Sequence, residues 1–278
     1  MWQLIHHSLK KRGEKSVVVN ALIRYVDDMG WGRAIYDAAF PANIVALLIF
    51  YLVYRKKYAL PWWKAALTWV FTVGGISVLN SILASAMNGF RADGSANILY
   101  AFVYFPLICL LVSKLLREKP GIMLDYMAPA IVIWHIIGQS VCPFFGCCAG
   151  IPCTWGIWNP LLDRTVFPVQ WMISLAALLV FLFILQYAKK RQYDGSGRVY
   201  PIMLILLGVV RFFLEFLKDT TKIVWDLTEL SLHALFMVLV GTIWYLTMEE
   251  IRLEKERGHE KYGKQKTCNH TYRPNRRV

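Results

Sequence analysis

Two groups of residues in this 278-residue chain have types and spacings that could do chemistry. The first lies in Gly208-Val-Val-Arg-Phe-Phe-Leu-Glu-Phe-Leu-Lys218, where Arg211 and Glu215 stand four apart inside an apolar run. At that spacing both side chains share one face of a helix and can pair. A guanidinium held by a carboxylate offers a fixed, two-pronged donor to a phosphate. The competing reading is a buried structural ion pair. Ionisable groups are costly in such a segment, so leucine would serve better if packing were the only need.

The second group comprises Leu124-Asp-Tyr-Met-Ala-Pro129, then His135 through Gly150, then Pro152-Cys153. Cys142, Cys147, Cys148 and Cys153 fall within twelve residues. Their C-x4-C-C-x4-C spacing could present thiolates to a metal or support redox chemistry, but it lacks the short spacings of zinc knuckles. Small buried cysteines and glycines also allow close helix packing in membranes, with no chemistry at all. His135 is either a hydrogen-bonded core residue or a ligand.

These residues are embedded in a chain that is 57% hydrophobic and only 18% charged. That composition excludes disorder and collagen-like repeats, and 6 cysteines in 278 residues are too sparse for a disulfide scaffold. No internal repeat is visible. The 31 Lys and Arg against 18 Asp and Glu leave a net charge of +13, which in a soluble protein would raise nucleic acid as a partner. Here the basic residues lie between apolar runs, so the partner is a membrane and no nucleic acid is expected.

A bilayer core needs about 20 apolar residues per helix. Seven runs qualify, near 40–54, 62–85, 97–115, 127–148, 167–187, 199–217 and 231–248. The expected fold class is all-α, a polytopic transmembrane bundle of about seven helices. Arg55, Lys56 and Lys57 follow the first run, Lys114, Arg117 and Lys119 the third, and Lys189, Lys190, Arg191 and Arg198 the fifth. Short basic loops stay in the cytoplasm, which puts the N-terminus outside and the C-terminus inside. The other loops carry little positive charge, and Lys218 and Lys222 are offset there by Asp219, Asp226 and Glu229.

Residues 1–39 form an extracytoplasmic or interfacial segment, 40–248 the seven-helix domain and 249–278 a basic cytoplasmic tail. Within the first segment, 17–26 is either an interfacial helix or a loose tail. No removable signal peptide is recognisable, so the first passage directs insertion.

At the two chemical groups the sequence resembles the prolipoprotein diacylglyceryl transferase family, and the similarity covers most of the chain. Asp125 through Gly150 is similar to the family's signature segment, Val166-Phe-Pro-Val-Gln170 to its His-Pro-x-Gln element, and Arg211 through Lys218 to its Arg-Phe-x-x-Glu-Phe-x-Arg helix. The resemblance implies a seven-helix enzyme of the bacterial inner membrane. Such an enzyme moves the diacylglyceryl group of phosphatidylglycerol, or a related glycerolipid, to the thiol of a lipobox cysteine in a prolipoprotein, or to another thiol acceptor. No cofactor or metal is implied.

On this resemblance Arg211 holds the phosphate and Glu215 fixes Arg211, while Gln139, Cys142 and Tyr100 occupy further catalytic positions. His135, Gly138, Cys147, Gly150 and Gln170 line the lipid or substrate site, with Gly138, Gly146 and Gly150 permitting close backbone approach. The chain also departs from the family. In the signature Gly-Arg-x-Gly-Asn-Phe-x-Asn-x-Glu it carries Gln139 for Arg, Cys142 for Asn and Cys147 for Glu. Tyr100 stands for the family's basic His, and no Glu follows Gln170. The cysteines resemble a Gly-Cys-Cys-containing branch of the family. Besides a transferase, the residues leave open a redox or metal-handling protein using the cysteines and a noncatalytic lipid- or peptide-binding descendant.

Overall fold

In the computed structural model, which describes residues 18–87, 99–146, 148–219 and 227–271, the apolar runs are helices. A short amphipathic helix, α1 (Val18–Asp28), precedes α2 (Gly32–Tyr54), α3 (Trp62–Met87), α4 (Leu99–Leu116) and α5 (Pro120–Phe145). A hairpin of β1 (Pro152–Asn159) and β2 (Arg164–Val166) leads to α6 (Val169–Lys190), α7 (Val199–Glu215) and α8 (Glu229–Thr271). Each of the seven predicted passages thus corresponds to one helix from α2 to α8. Among the described residues, four helical stretches are long and apolar enough to cross a membrane on that basis alone: Gly32–Tyr58, Pro120–Phe145, Val169–Lys190 and Glu229–Glu254.

The outward faces explain why this is a membrane protein. Val45, Ile49 and Val53 on α2, Leu107, Leu111 and Leu115 on α4, Leu175, Leu179 and Leu182 on α6, and Leu235, Leu239, Ile243 and Leu246 on α8 are all exposed. Stripes of that size at helical spacing suit lipid and would aggregate in water. The inward faces meet around α5, whose Tyr126, Met127 and Ile131 are fully buried against a core that includes Tyr51, Phe102 and Ile184.

At one end, Lys64 pairs with Glu118 at 2.5 Å and Arg198 with Glu249 at 3.0 Å, and the Lys57 ammonium lies 5.7 Å from the centre of the Tyr193 ring. These contacts gather the basic loops on one side of the bundle. There the buried Asp125 carboxylate accepts from the backbone N–H groups of Gly197 and Val199, each at 2.9 Å. A carboxylate so placed satisfies open donors at the start of α7 and favours the positive end of its dipole. It also fixes where α7 begins relative to α5. Further along, a Cβ on Gly208 would lie 2.8 Å from the Ala234 carbonyl oxygen and one on Gly241 would lie 2.9 Å from that of Pro201. Only glycine lets α7 and α8 approach so closely.

At the opposite end α5 stops at Gly146, whose left-handed φ of 82° closes the helix with an N–H bond to the Cys142 carbonyl. Asn159 ties the hairpin to this cap. Its amide donates to the Gly146 carbonyl at 2.8 Å and its carbonyl accepts from Leu162 N–H at 3.0 Å. Helix α1 lies on the hairpin: Ile23 is buried with Ile157, Trp158 and Val166, and the Arg24 guanidinium sits 4.1 Å from the Trp158 ring centre. The segment left as either helix or loose tail is therefore a packed helix over its described part.

The helical bundle is as expected, and three details are added to it. A small β-hairpin accompanies the helices; it forms because Thr154 to Trp158 and Thr165 to Val166 are short β-favouring runs flanking a turn. Helix α2 begins at Gly32, upstream of the expected start at Phe40, because residues 32–39 are compatible with the same helix. Helix α8 passes without interruption through Met248, so no structural break separates the passage from the basic segment after it.

Candidate active site

The site forms at the hairpin end, where three elements converge. Helix α5 contributes His135, Gln139 and Cys142, spaced four and three apart, and all three are buried on one face. Helix α7 contributes Arg211 and Glu215. Its opposite face carries Val209, Phe213 and Phe216, all exposed, so the charged face turns inward and not toward lipid. Helix α6 contributes Gln170 in its first turn, buried and donating through Nε2 to the Cys148 carbonyl.

The stretch after Gly146 joins these elements. Residue Gly150 pairs with Lys218 as an antiparallel bridge, with Ile151 N–H donating to Leu217 at 3.0 Å and Asp219 N–H donating to Ala149 at 3.0 Å. A Cβ on Gly150 would lie 2.2 Å from the Phe167 carbonyl oxygen, so this crossing requires glycine. Arg164 of the hairpin bonds Asp219 at 2.5 Å and closes the outer side.

The bridge carries Lys218 into the interior, where only 1% of its side chain is exposed. Glu215 Oε2 lies 3.3 Å from Arg211 Nε and 3.3 Å from Lys218 Nζ. Two cations therefore share one carboxylate, leaving one positive charge in excess. Burial, with the neighbouring Arg211 charge, pushes the Lys218 ammonium below its ordinary range, and Glu215 opposes that shift. In the sequence Lys218 is both a charge of the loop after the sixth run and the last residue of the stretch similar to the family's Arg-Phe-x-x-Glu-Phe-x-Arg helix. Its position three after Glu215 and seven after Arg211 was the signal, but burial came only from the bridge to Gly150.

A cavity with room for about one water molecule opens beside this cluster, lined by Phe102 of α4, His135 of α5, Ile173 and Ala177 of α6, and Leu207, Val210 and Arg211 of α7. The His135 ring meets the Phe102 ring edge-on at 5.5 Å. Among the described residues, His135 Nδ1, Gln139 Oε1 and Arg211 Nη1 are buried without a hydrogen-bond partner. These three atoms can donate to or accept from a ligand at this end of the bundle.

The structure thus brings Arg211, Glu215, His135, Gln139, Cys142, Gly150 and Gln170 to one end of the bundle. His135 is buried in the core with its Nδ1 lacking a hydrogen-bond partner among the described residues. Gly138 does not serve close backbone approach: a Cβ there would meet nothing within 4 Å. Gly146 and Gly150 do serve it. Cys147 and the side chain of Tyr100 lie outside the described residues, although Tyr100 itself sits in the first turn of α4. Among the described residues no three His, Cys, Asp or Glu side chains are grouped to hold a metal ion.

The sequence model of a family described as prolipoprotein diacylglyceryl transferase matches residues 98–247, more than half of the chain, and spans α4 through the apolar part of α8. The chain belongs to the prolipoprotein diacylglyceryl transferase family. All the site residues named above fall inside the match. The chain is also similar to individual proteins called phosphatidylglycerol–prolipoprotein diacylglyceryl transferase. It is 30% identical over 127 residues to one from Clostridium tetani, covering 43% of this chain and 50% of that protein. A second, from Clostridium perfringens, is 24% identical over 179 residues, with 62% of this chain and 69% of the relative covered. A third, from Finegoldia magna, is 23% identical over 212 residues, covering 74% and 73%. The chain spans half the length of the first of these relatives. Within this diacylglyceryl transferase family member, the parts that match lie on the helices that build the cavity.

Proposed function

We propose that this multi-pass membrane protein transfers the diacylglyceryl group of phosphatidylglycerol to the thiol of a prolipoprotein lipobox cysteine, in the plasma membrane of a bacterium. The observation that carries the proposal is Arg211, a buried guanidinium that lines a cavity, is held by Glu215 and keeps Nη1 unpartnered among the described residues. A phosphodiester brings one negative charge and several acceptor oxygens, which the excess positive charge and the open N–H of this cluster complement.

The reaction breaks the bond between the glyceryl carbon and the phosphate oxygen as the thiol sulfur attacks that carbon. Charge grows on the departing glycerol phosphate, and fixed cations in a water-poor site are worth most at that moment. Arg211 and Lys218 supply those cations, while Glu215 keeps the guanidinium oriented. Gln139 and Cys142 continue the α5 face past His135 toward the hairpin and contact the glyceryl and headgroup oxygens. Gln170 and Gly150 hold the Cys148 loop in place, and that loop borders the acceptor peptide. The hairpin end faces outward, as the basic loops at the other end require. On this reading the N-terminal segment is outside and the basic tail in the cytoplasm.

The test uses the purified full-length chain in detergent with labelled phosphatidylglycerol and a lipobox peptide. Labelled peptide and released glycerol phosphate are expected, with both lost in Arg211→Ala. Absence of transfer by the unaltered chain, or full activity of Arg211→Ala, overturns the proposal.

A further inference from the structure

If the chain is a transferase, the acceptor thiol must lose a proton, and the site holds few groups that can take it. Cys142 is a thiol itself and no stronger a base than the acceptor. Gln139 cannot accept a proton, and Glu215 is engaged between two cations. His135 is different. Its imidazole has a ring nitrogen that can take a proton and give it back. It lines the same cavity as Arg211, and its Nδ1 is buried with no partner among the described residues.

We infer that His135 is the general base of the transfer, its Nδ1 taking the proton of the acceptor thiol through the water-sized cavity shared with Arg211. This assignment rests on the transferase reading above. The S–H bond breaks toward Nδ1, the sulfur lone pair forms the bond to the glyceryl carbon, and the carbon–oxygen bond breaks with its electron pair on the phosphate. Glycerol phosphate departs as a dianion and takes the proton from the imidazolium, which restores the neutral ring.

The charges facing His135 set the order of events. Arg211 and Lys218 both act on the imidazole, and Glu215 balances one of them. Phe102, Ile173, Ala177, Leu207 and Val210 complete the lining without charge. A phosphodiester bound at Arg211 balances the second cation, so the proton then moves to His135 beside a cluster with no net positive charge. Proton transfer therefore follows lipid binding, which prevents an idle ionised thiol from forming against an empty site.

The test compares the unaltered chain with His135→Gln in the full-length protein. Two lipobox peptides are used, one with cysteine and one with selenocysteine, whose selenol is already ionised at neutral pH. With the cysteine peptide, kcat is expected to fall by about 10² to 10⁴, the range of general-base catalysis, with KM for phosphatidylglycerol unchanged. With the selenocysteine peptide the loss should shrink to a few-fold, because no proton has to be removed. Equal losses with both peptides, or a matching rise in KM, would mean that His135 only packs or binds lipid, and would overturn the assignment. Full activity of His135→Gln with cysteine overturns it too, while leaving the transferase reading intact. Inactivity of the unaltered chain with both peptides overturns the function first and the base with it. His135→Asn repeats the comparison if the glutamine variant does not fold.

Discussion

The shared carboxylate makes an asymmetric demand that can be measured. Each 3.3 Å pairing at Glu215 corresponds to about 5 kcal/mol of Coulomb attraction at an effective dielectric of 20. Because Arg211 Nε and Lys218 Nζ each lie 3.3 Å from the same oxygen, they are no more than twice that, 6.6 Å, from each other. Without the carboxylate they repel by at least about 2.5 kcal/mol at the same dielectric. Glu215→Gln therefore leaves two buried cations facing one another, and its expected cost is about 3–5 kcal/mol, that of a broken buried pair. Arg211→Met removes one attraction but leaves Lys218 and Glu215 paired, so its cost should stay near 1 kcal/mol, roughly a third or less of the first. The assay is thermal unfolding of the purified protein in detergent. The midpoint is expected to drop by roughly 10 °C in Glu215→Gln and only a few degrees in Arg211→Met. In the double variant the midpoint should lie above that of Glu215→Gln alone, since the repulsion is gone. Equal drops in the two single variants, or a double variant whose loss is the sum of theirs, would refute the three-charge description.

Other consequences follow from single contacts. Arg211→Lys keeps the charge but loses the planar fork, so transfer efficiency should fall by about 10² to 10³ in kcat/KM with little change in thermal stability; unchanged kinetics would count against phosphate binding by the guanidinium. Gly150→Ala puts a methyl group 2.2 Å from the Phe167 carbonyl and should unseat the bridge to Lys218, lowering stability by about 1–3 kcal/mol together with activity. Gly138→Ala meets nothing within 4 Å and should be neutral in both measurements, and a loss there would refute the packing assigned to this face. Asp125→Asn turns an N–H group toward the N–H of Gly197 or Val199 and should destabilise the start of α7 by about 1–3 kcal/mol, read as a lower melting midpoint.

Much of the bundle was legible because lipid imposes simple rules: apolar runs of sufficient length become helices, and basic loops collect on one side. The placement of Arg211 and Glu215 on one face was equally legible, since a spacing of four fixes it on any helix. The hairpin was not. Its strands are short and lie in what reads as a polar loop, and they pair only because Asn159 and Gly146 close the turn against the end of α5. Gly138 was not legible because a glycine in a membrane helix permits a close neighbour without requiring one, and no atom lies within 4 Å of a Cβ there.

Taken alone, the order of residues determined which groups could bear charge in the membrane, which helix face they shared and which family signature they matched. Local rules suffice for these, because spacing along one helix converts directly into direction. Tertiary structure decided the rest. It carried Lys218 from a loop into the interior through a backbone bridge to Gly150, shared Glu215 between two cations, and opened a cavity in which His135 and Arg211 meet across α5 and α7. Those outcomes bring together residues some seventy positions apart, Gly150 with Lys218 in a backbone bridge and His135 with Arg211 around one cavity. Only the packing of α5, α6 and α7 against one another brings such residues together, so no spacing along the chain encodes their meeting.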